Sequence, residues 1–209
     1  MVNLTRIYTR TGDDGSTGLG DFSRTRKTDP RLAAYADANE ANATIGVAIA
    51  TELQGRGGDL GERGLGERGL ATLTRVQNDL FDVGADLCMP LKPSYEHPPL
   101  RVQAGWIDEL EADCDHFNAD LPKLRSFILP GGTPTAAQLH VATTTVRRAE
   151  RSAWLALETY GDGDDDGVNP LTAKYLNRLS DLLFIMARYA NRHDGDVLWQ
   201  PGGGRAPTP

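Results

Sequence analysis

From Ile7 to Gly20 the chain reads Ile-Tyr-Thr-Arg-Thr-Gly-Asp-Asp-Gly-Ser-Thr-Gly-Leu-Gly. Glycines alternate with hydroxyls here, too densely for a helix. Glycine lets a backbone turn tightly and approach a ligand closely. Successive N–H groups, with Thr and Ser hydroxyls added, can then cradle an anion. The same run taken alone reads first as a surface turn, so cations elsewhere must decide. It is not a Walker A loop, because no Gly-Lys-Ser/Thr follows its glycines. Any nucleotide would be held by a different architecture.

The cations stand at Val146-Arg147-Arg148-Ala149-Glu150-Arg151. On a helix, Arg147 and Arg151 are four apart and share a face, with Thr143 one turn earlier and Glu150 beside them. Arg148 points about 100° away from Arg147. Two guanidinium forks on one face match a polyphosphate, since each presents bidentate donors to phosphate oxygens. A solvated face laced with ion pairs is the competing reading. Further on, Asn177 and Asp181 share a helix face within Tyr175–Phe184. Polar groups in so apolar a stretch need partners if buried, so Asn177 could cap a neighbour or hydrogen-bond a ligand.

Other candidates carry less. Asp162, Asp164 and Asp166 followed by Gly167 imitate the first half of a calcium loop. Its twelfth position is Ala173, where a bidentate Glu is required, and a flexible, solvated turn is expected instead. His140 lacks a second His at ligand spacing and reads as structural. The two cysteines, Cys88 and Cys114, form no CxxC and are expected to be small buried hydrophobes. No metal-ligand set is identified. A net charge of -7 argues against nucleic acid as a partner. No signal peptide or run of ~20 apolar residues is present, so a cytoplasmic protein without a membrane segment is expected.

These residues must be positioned by helices. Apolar periodicity predicts helices over about 31–53, 71–87, 102–118, 134–160 and 170–191. Asp29-Pro30 supplies an N-terminal signal for the first. Leu32, Tyr35, Ala36, Ile45, Ile49 and Leu53 form its expected apolar stripe. Leu73, Val76, Leu80 and Val83 or Gly84 form that of the second, and Trp106, Leu110, Cys114 and Phe117 that of the third. The stretch 55–70 contains Gly-Glu-Arg-Gly-Leu twice in tandem and is expected to be a mobile connector, because so many glycines disfavour a helix. Strand signals are nearly absent. The fold class is therefore all-α, a five-helix antiparallel bundle. A single domain over 1–209 is expected, with an N-terminal segment 1–29, a helical bundle 30–191 and a tail 192–209, disordered after Trp199.

Taken together, the segments resemble the PduO-type ATP:cob(I)alamin adenosyltransferases. The matching pieces are Ile7–Gly15 with Ser16 and Thr17, Lys27–Arg31, Gln77–Asp82, Phe127–Gly132, Leu139–Ala142, Arg147–Arg151 and Asn177–Asp181. They occur in the family's order. The resemblance implies a homotrimer of ferritin-like, up-and-down five-helix subunits with ATP at each subunit interface. It places Thr9, Arg10, Thr11, Gly12, Ser16 and Thr17 around the triphosphate, with Lys27 beside it. Arg147, Arg148, Glu150, Arg151 and Asn177 complete the nucleotide set, and Mg²⁺ bridges the phosphates. Phe127 is implied to displace the lower base of cobalamin, leaving four-coordinate cobalt; Phe127 and Arg147 carry catalysis, and Asp181 supports the corrin side.

The implied reaction transfers the 5′-deoxyadenosyl group of ATP to Co(I), releasing inorganic triphosphate. It needs positioned cations and no protein nucleophile. A cobalamin-dependent mutase is a possible recipient of product. The family usually has Asp at Asn39 and Arg at Thr143, an ion pair across the interface; here both charges are missing, a hydrogen bond between the two could replace them, and a rewired but still trimeric interface is expected, with activity that could be reduced. The alternative reading is a catalytically weak nucleotide- or cobalamin-binding delivery or sensor module. The glycine loop is expected to be unordered without ATP.

Overall fold

The computed structural model describes residues 8–55 and 64–204. The elements in chain order are β1 (Ser16–Gly18), β2 (Arg24–Arg26), α1 (Pro30–Gly55), α2 (Gly66–Cys88), α3 (Ala104–Asn118), α4 (Pro134–Tyr160) and α5 (Pro170–Ala190), then a short 3-10 turn at Pro201–Gly204. The fold is all-helical apart from one small hairpin. Asp29 Oδ1 accepts the Arg31 amide at 2.8 Å to start α1. Thr133 and Asn169 cap α4 and α5 in the same way, each followed by a proline in the first turn. Pre-set proline φ and a side-chain acceptor together explain why these starts are sharp.

Paired side chains fix the helix directions. Asp29, just before α1, and Asp37 and Glu52 within it accept hydrogen bonds from Tyr160, Ser152 and Thr135 in turn, so α1 and α4 run antiparallel. Asn42 exchanges hydrogen bonds with Gln77, and Arg31 reaches the Leu87 carbonyl, which sets α2 antiparallel to α1. Glu150 meets Asn177 and His140 meets Phe184, so α5 returns along α4. The α3–α5 pair runs parallel: Trp106 packs on Tyr175 and Phe117 on Tyr189. Helices two apart in an alternating bundle point the same way, so this pair refines the antiparallel expectation.

The core departs from the expected stripe on α1. Ala34, Ala38, Ala41, Ile45 and Ala48 are buried, while Tyr35, Val47 and Leu53 face outward. Helix α4 likewise buries Ala142, Ala149, Ala153 and Ala156. Small side chains let two helix backbones approach closely, and this takes precedence over burying the larger residues. On α2 and α3 the expected stripes hold, with Trp106 and Cys114 half-buried. Cys88 is also half-buried and not a core residue.

Three local expectations are corrected. Helix α2 begins at Gly66, inside the repeat expected to be non-helical. Leu65 is buried there and its amide is accepted by Glu52 Oε1 at 2.6 Å, which anchors the start; residues 56–63 lie outside the described residues. The acidic loop keeps its carboxylates in solvent, but its backbone is pinned. The Leu91 amide bonds the Gly167 carbonyl at 2.9 Å, and the Asp166 amide bonds the Leu91 carbonyl at 3.0 Å. The tail also continues in regular structure: Ile128 and Leu198 form an antiparallel bridge, and the 3-10 turn follows Trp199.

Candidate functional site

The Gly-rich segment folds as the β1–β2 hairpin, with Ser16 opposite Arg26 and Thr17 opposite Thr25. The Lys27 amide bonds the Gly15 carbonyl at 2.9 Å. A Cβ on Gly12 would come within 2.9 Å of the Ser16 carbonyl and 3.1 Å of the Lys27 ammonium. Glycine at this position therefore allows Lys27 to close over the loop. Asp14 accepts both the amide and the hydroxyl of Ser16, which holds its carboxyl below the usual range. Thr9 and Thr11 share a hydrogen bond at 2.9 Å. Thr17 and Arg10 complete the segment, with Arg10 in the left-handed region at φ 61°. The expected loop is thus present as a structured, solvent-facing turn rich in donors.

The hairpin is fastened to the bundle at both ends. At its tip the Gly20 amide bonds the Cys88 carbonyl at 3.0 Å, and Asp21 pairs with Lys92. Burial alone would raise the Asp21 carboxyl, but hydrogen bonds from Lys92 and Ser23 overcome this and hold it at about 2. At its base Asp29 accepts hydroxyls from Thr25 and Tyr160, both at 2.6 Å. Burial and this bond push the Tyr160 phenol up to about 12.

The cation face lies elsewhere. Arg147 and Arg151 are exposed on α4, and neither has an ion-pair or hydrogen-bond partner among the described residues. Between them Glu150 Oε1 accepts from Asn177 Nδ2 at 3.0 Å and from Trp154 Nε1 at 3.2 Å. Asn177, Glu150, Arg147 and Arg151 therefore form one face across α4 and α5. Asp181 is held by Arg178 at 3.0 Å, and Arg178 also reaches Glu111. Arg148 is not brought to this face. It turns toward α1 and pairs with Asp37 at 3.4 Å and with Glu40.

Phe127 is 79% exposed, and its ring meets Trp199 edge-on at 5.9 Å. Concavities lie on both sides of Trp199, one lined by Leu124, Arg125, Ser126 and Phe127. An exposed aromatic ring beside a shallow recess suits a large, flat ligand. Thr143 is buried at 2% exposure and gives its hydroxyl to the Leu139 carbonyl at 2.8 Å. The expected Asn39–Thr143 bond across an interface is therefore not supported. Asn39 is exposed and lines an apolar groove with Tyr35, Leu80, Phe81 and Met89.

No hydrogen bond or ion pair joins the hairpin to Arg147 or Arg151. The hairpin is tied to Tyr160, nine residues past Arg151, about 14 Å along the helix axis. It is also tied on the α1 side, whereas the cation face looks toward α5. The hairpin and the cation face of one chain thus stand apart from each other.

Residues 7–190 match the cobalamin adenosyltransferase family. The chain belongs to that family. It is 58% identical over 207 residues to a corrinoid adenosyltransferase of Mycobacterium tuberculosis, covering 98% of this chain and 97% of the relative. It is 36% identical to that of Bacillus subtilis, covering 91% and 89%. Among solved structures it is similar to a variant PduO-type ATP:corrinoid adenosyltransferase of Lactobacillus reuteri complexed with cobalamin and ATP. That likeness has a TM-score of 0.78 and 32% identity, covering 93% of this chain and 99% of the other.

Sequence reasoning missed one buried assembly. Asp86, fully buried, pairs with Arg101 at 2.6 Å and accepts from the Val102 amide and Asn169 Nδ2. It ties the end of α2 to the start of α5. Asp86 carries no motif, and only tertiary contacts reveal it.

Proposed function

We propose that this chain transfers the 5′-deoxyadenosyl group of ATP to Co(I) of a reduced corrinoid. The observation that carries the reading is the pair of exposed, unpartnered arginines, Arg147 and Arg151, flanking the Glu150–Asn177 bond. Two uncompensated cations on a protein of net charge -7 are a site for an anion. The reduced cobalt attacks the 5′ carbon. A cobalt–carbon bond forms, the carbon–oxygen bond to the triphosphate breaks, and its electron pair leaves with the triphosphate. Charge develops on that leaving group, where Arg147, Arg151, Lys27 and the N–H groups of the Gly12–Thr17 turn stabilise it. Thr9, Arg10, Thr11, Ser16 and Thr17 supply further contacts to phosphate oxygens. Glu150 and Asn177 orient the nucleoside.

Mg²⁺ would supply further positive charge to the triphosphate. Hard oxygen donors on the nucleotide suit it, and it keeps several waters in such sites. Among the described residues no three His, Cys, Asp or Glu side chains converge as a cage, so the phosphates themselves would carry it. Phe127 presents the apolar face that excludes a lower axial ligand from cobalt and leaves it four-coordinate. Asp181 supports the corrin side through Arg178.

The separation of hairpin and cation face within one chain supports a homotrimer in which one copy's hairpin closes over the neighbour's arginines. The outward-facing Tyr35, Val47, Leu53 and Phe81 supply apolar surface for such contact. The alternating helix directions support the ferritin-like, up-and-down arrangement. We treat residues 1–209 as one adenosyltransferase domain, cytoplasmic; no helix among the described residues is long and apolar enough to cross a membrane. The delivery or sensor alternative rested on the Asn39/Thr143 departure, and the match to the cobalamin adenosyltransferase family does not favour it. Mixing the protein with ATP, Mg²⁺ and chemically reduced cobalamin tests the reading. An absorbance change marking a cobalt–carbon bond, with one triphosphate per bond, is expected; binding of both ligands without product would overturn it.

A further inference from the structure

Arg188 on α5 is only 5% exposed, yet no phosphate or corrin role falls to it. Its Nη2 donates to the Pro122 carbonyl at 2.8 Å, and its Nε donates to Asp196 Oδ2 at 2.9 Å. Pro122 begins the segment that runs to Phe127. Asp196 begins the stretch that bridges to that segment at Leu198. The Leu129 amide bonds the Val197 carbonyl at 2.7 Å, and the Trp199 amide bonds the Phe127 carbonyl at 2.9 Å. The Ser126 hydroxyl reaches the Trp199 carbonyl at 3.3 Å. One buried guanidinium therefore holds both strands of the small platform that presents the Phe127 ring, and Trp199 braces the ring's edge.

A buried ion pair is a poor way to gain stability, because desolvation offsets much of the attraction. Here the offset is larger still: Asp196 Oδ1 is buried without a hydrogen-bond partner, and so is Nε2 of nearby His140. What such a pair supplies is one fixed geometry. Guanidinium suits this task, since its planar fork reaches two acceptors at once in a set direction. We infer that Arg188 and Asp196 are positioning residues, which clamp the C-terminal strand against the Phe127 segment and so set the height and tilt of the Phe127 ring against the corrin. The inference rests on the proposed role of Phe127. It assigns the tail strand Asp196–Trp199 a part in the reaction.

The test uses the full chain with ATP and cob(II)alamin. The readouts are the fraction of four-coordinate Co(II), measured by magnetic circular dichroism, and steady-state rates. Asp196→Asn and Arg188→Met are expected to lower the four-coordinate fraction at least fivefold and kcat about tenfold, with KM for ATP within twofold. Arg188→Lys is expected to recover part of the signal, since an ammonium reaches one of the two acceptors. In a Phe127→Ala background, where the signal is already lost, Asp196→Asn should cost nothing more, because residues acting as one unit are non-additive. Loss with Phe127→Ala but wild-type signal with a folded Asp196→Asn overturns the clamp alone. A signal that survives Phe127→Ala overturns the reading of Phe127 and the clamp with it. Should Asp196→Asn not fold, Trp199→Ala alters only the exposed end of the same strand. The signal must fall with it, or the clamp is overturned.

Discussion

At the residue scale, two neighbouring arginines are separated by the direction in which they point. Arg147 is exposed and unpaired, while Arg148 lies between Asp37 and Glu40 of α1. The first is free to meet an anion; the second ties two helices. Arg147→Ala is expected to lower kcat/KM for ATP about 100-fold, the usual loss when one preorganised donor to developing charge is removed. Its melting temperature should stay within about a degree, because the side chain touches no partner. Arg148→Ala should behave oppositely: KM for ATP within twofold, and stability lower by under about 1 kcal/mol, as for a partly exposed ion pair. Steady-state kinetics and urea titration of the two variants check the contrast. If Arg148→Ala lost as much ATP turnover as Arg147→Ala, the reading of the two faces would be wrong. Sequence spacing alone separated these directions by about 100°, but which direction met α1 required the fold.

At the scale of elements, legibility tracked how local the signals were. Helix α4 has its bounds written at both ends, Thr133-Pro134 at the start and Gly161 at the finish, and the expected range matches the observed one. The start of α2 was not legible, because Leu65 burial and the Glu52 acceptor outweigh the local cost of glycine. The strand at Asp196–Trp199 has no alternating pattern of its own; its pairing is set by distant residues 126–129. Asp86 was hidden for the same reason, since Arg101 and Asn169 meet it only in the folded chain. Asp86→Ala breaks the ion pair to Arg101 and leaves the buried Val102 amide without its acceptor, and should cost about 3 kcal/mol or more, read as a fall in the urea midpoint. The hairpin's clip makes a pH expectation. The Asp21 carboxyl sits at about 2 in the folded chain, below its ordinary 3.8. A depressed carboxylate contributes its full stabilisation above the ordinary value and loses it as pH falls through the folded one. Hairpin docking should therefore be unchanged above about pH 5 and weaken between about pH 4 and 2. Carbon NMR of the Asp21 carboxyl tests this; a midpoint near 3.8 would mean that Lys92 does not hold it in solution.

At the scale of the whole molecule, the layout makes a demand that no single chain meets. The hairpin with Lys27 is fastened at the Tyr160 end and on the α1 side, and the Arg147–Asn177 face opens toward α5. In the proposed reaction the triphosphate touches both. The hairpin cannot swing across without breaking the Asp29 and Asp21 ties, so a second copy is the simpler source of the missing half. Symmetric closed oligomers repeat such a heterologous contact around a ring, and each interface then holds one site. Complementation distinguishes this from a site made within one chain. Lys27→Ala and Arg147→Ala are each expected to be nearly inactive as pure proteins. Unfolded together in equal amounts and refolded, they form mixed rings. A site is intact when the hairpin comes from an Arg147→Ala chain and the arginines come from a Lys27→Ala chain. Random mixing makes that pairing in about one site in four, so activity should rise to roughly a quarter of the unsubstituted protein's. A site within one chain contains one defect in every copy, and mixing would restore nothing. Sedimentation of the same samples supplies the second arm: the active species should have about three times the mass of the 22.6 kDa chain, and activity recovered in a monomer fraction would refute the shared site.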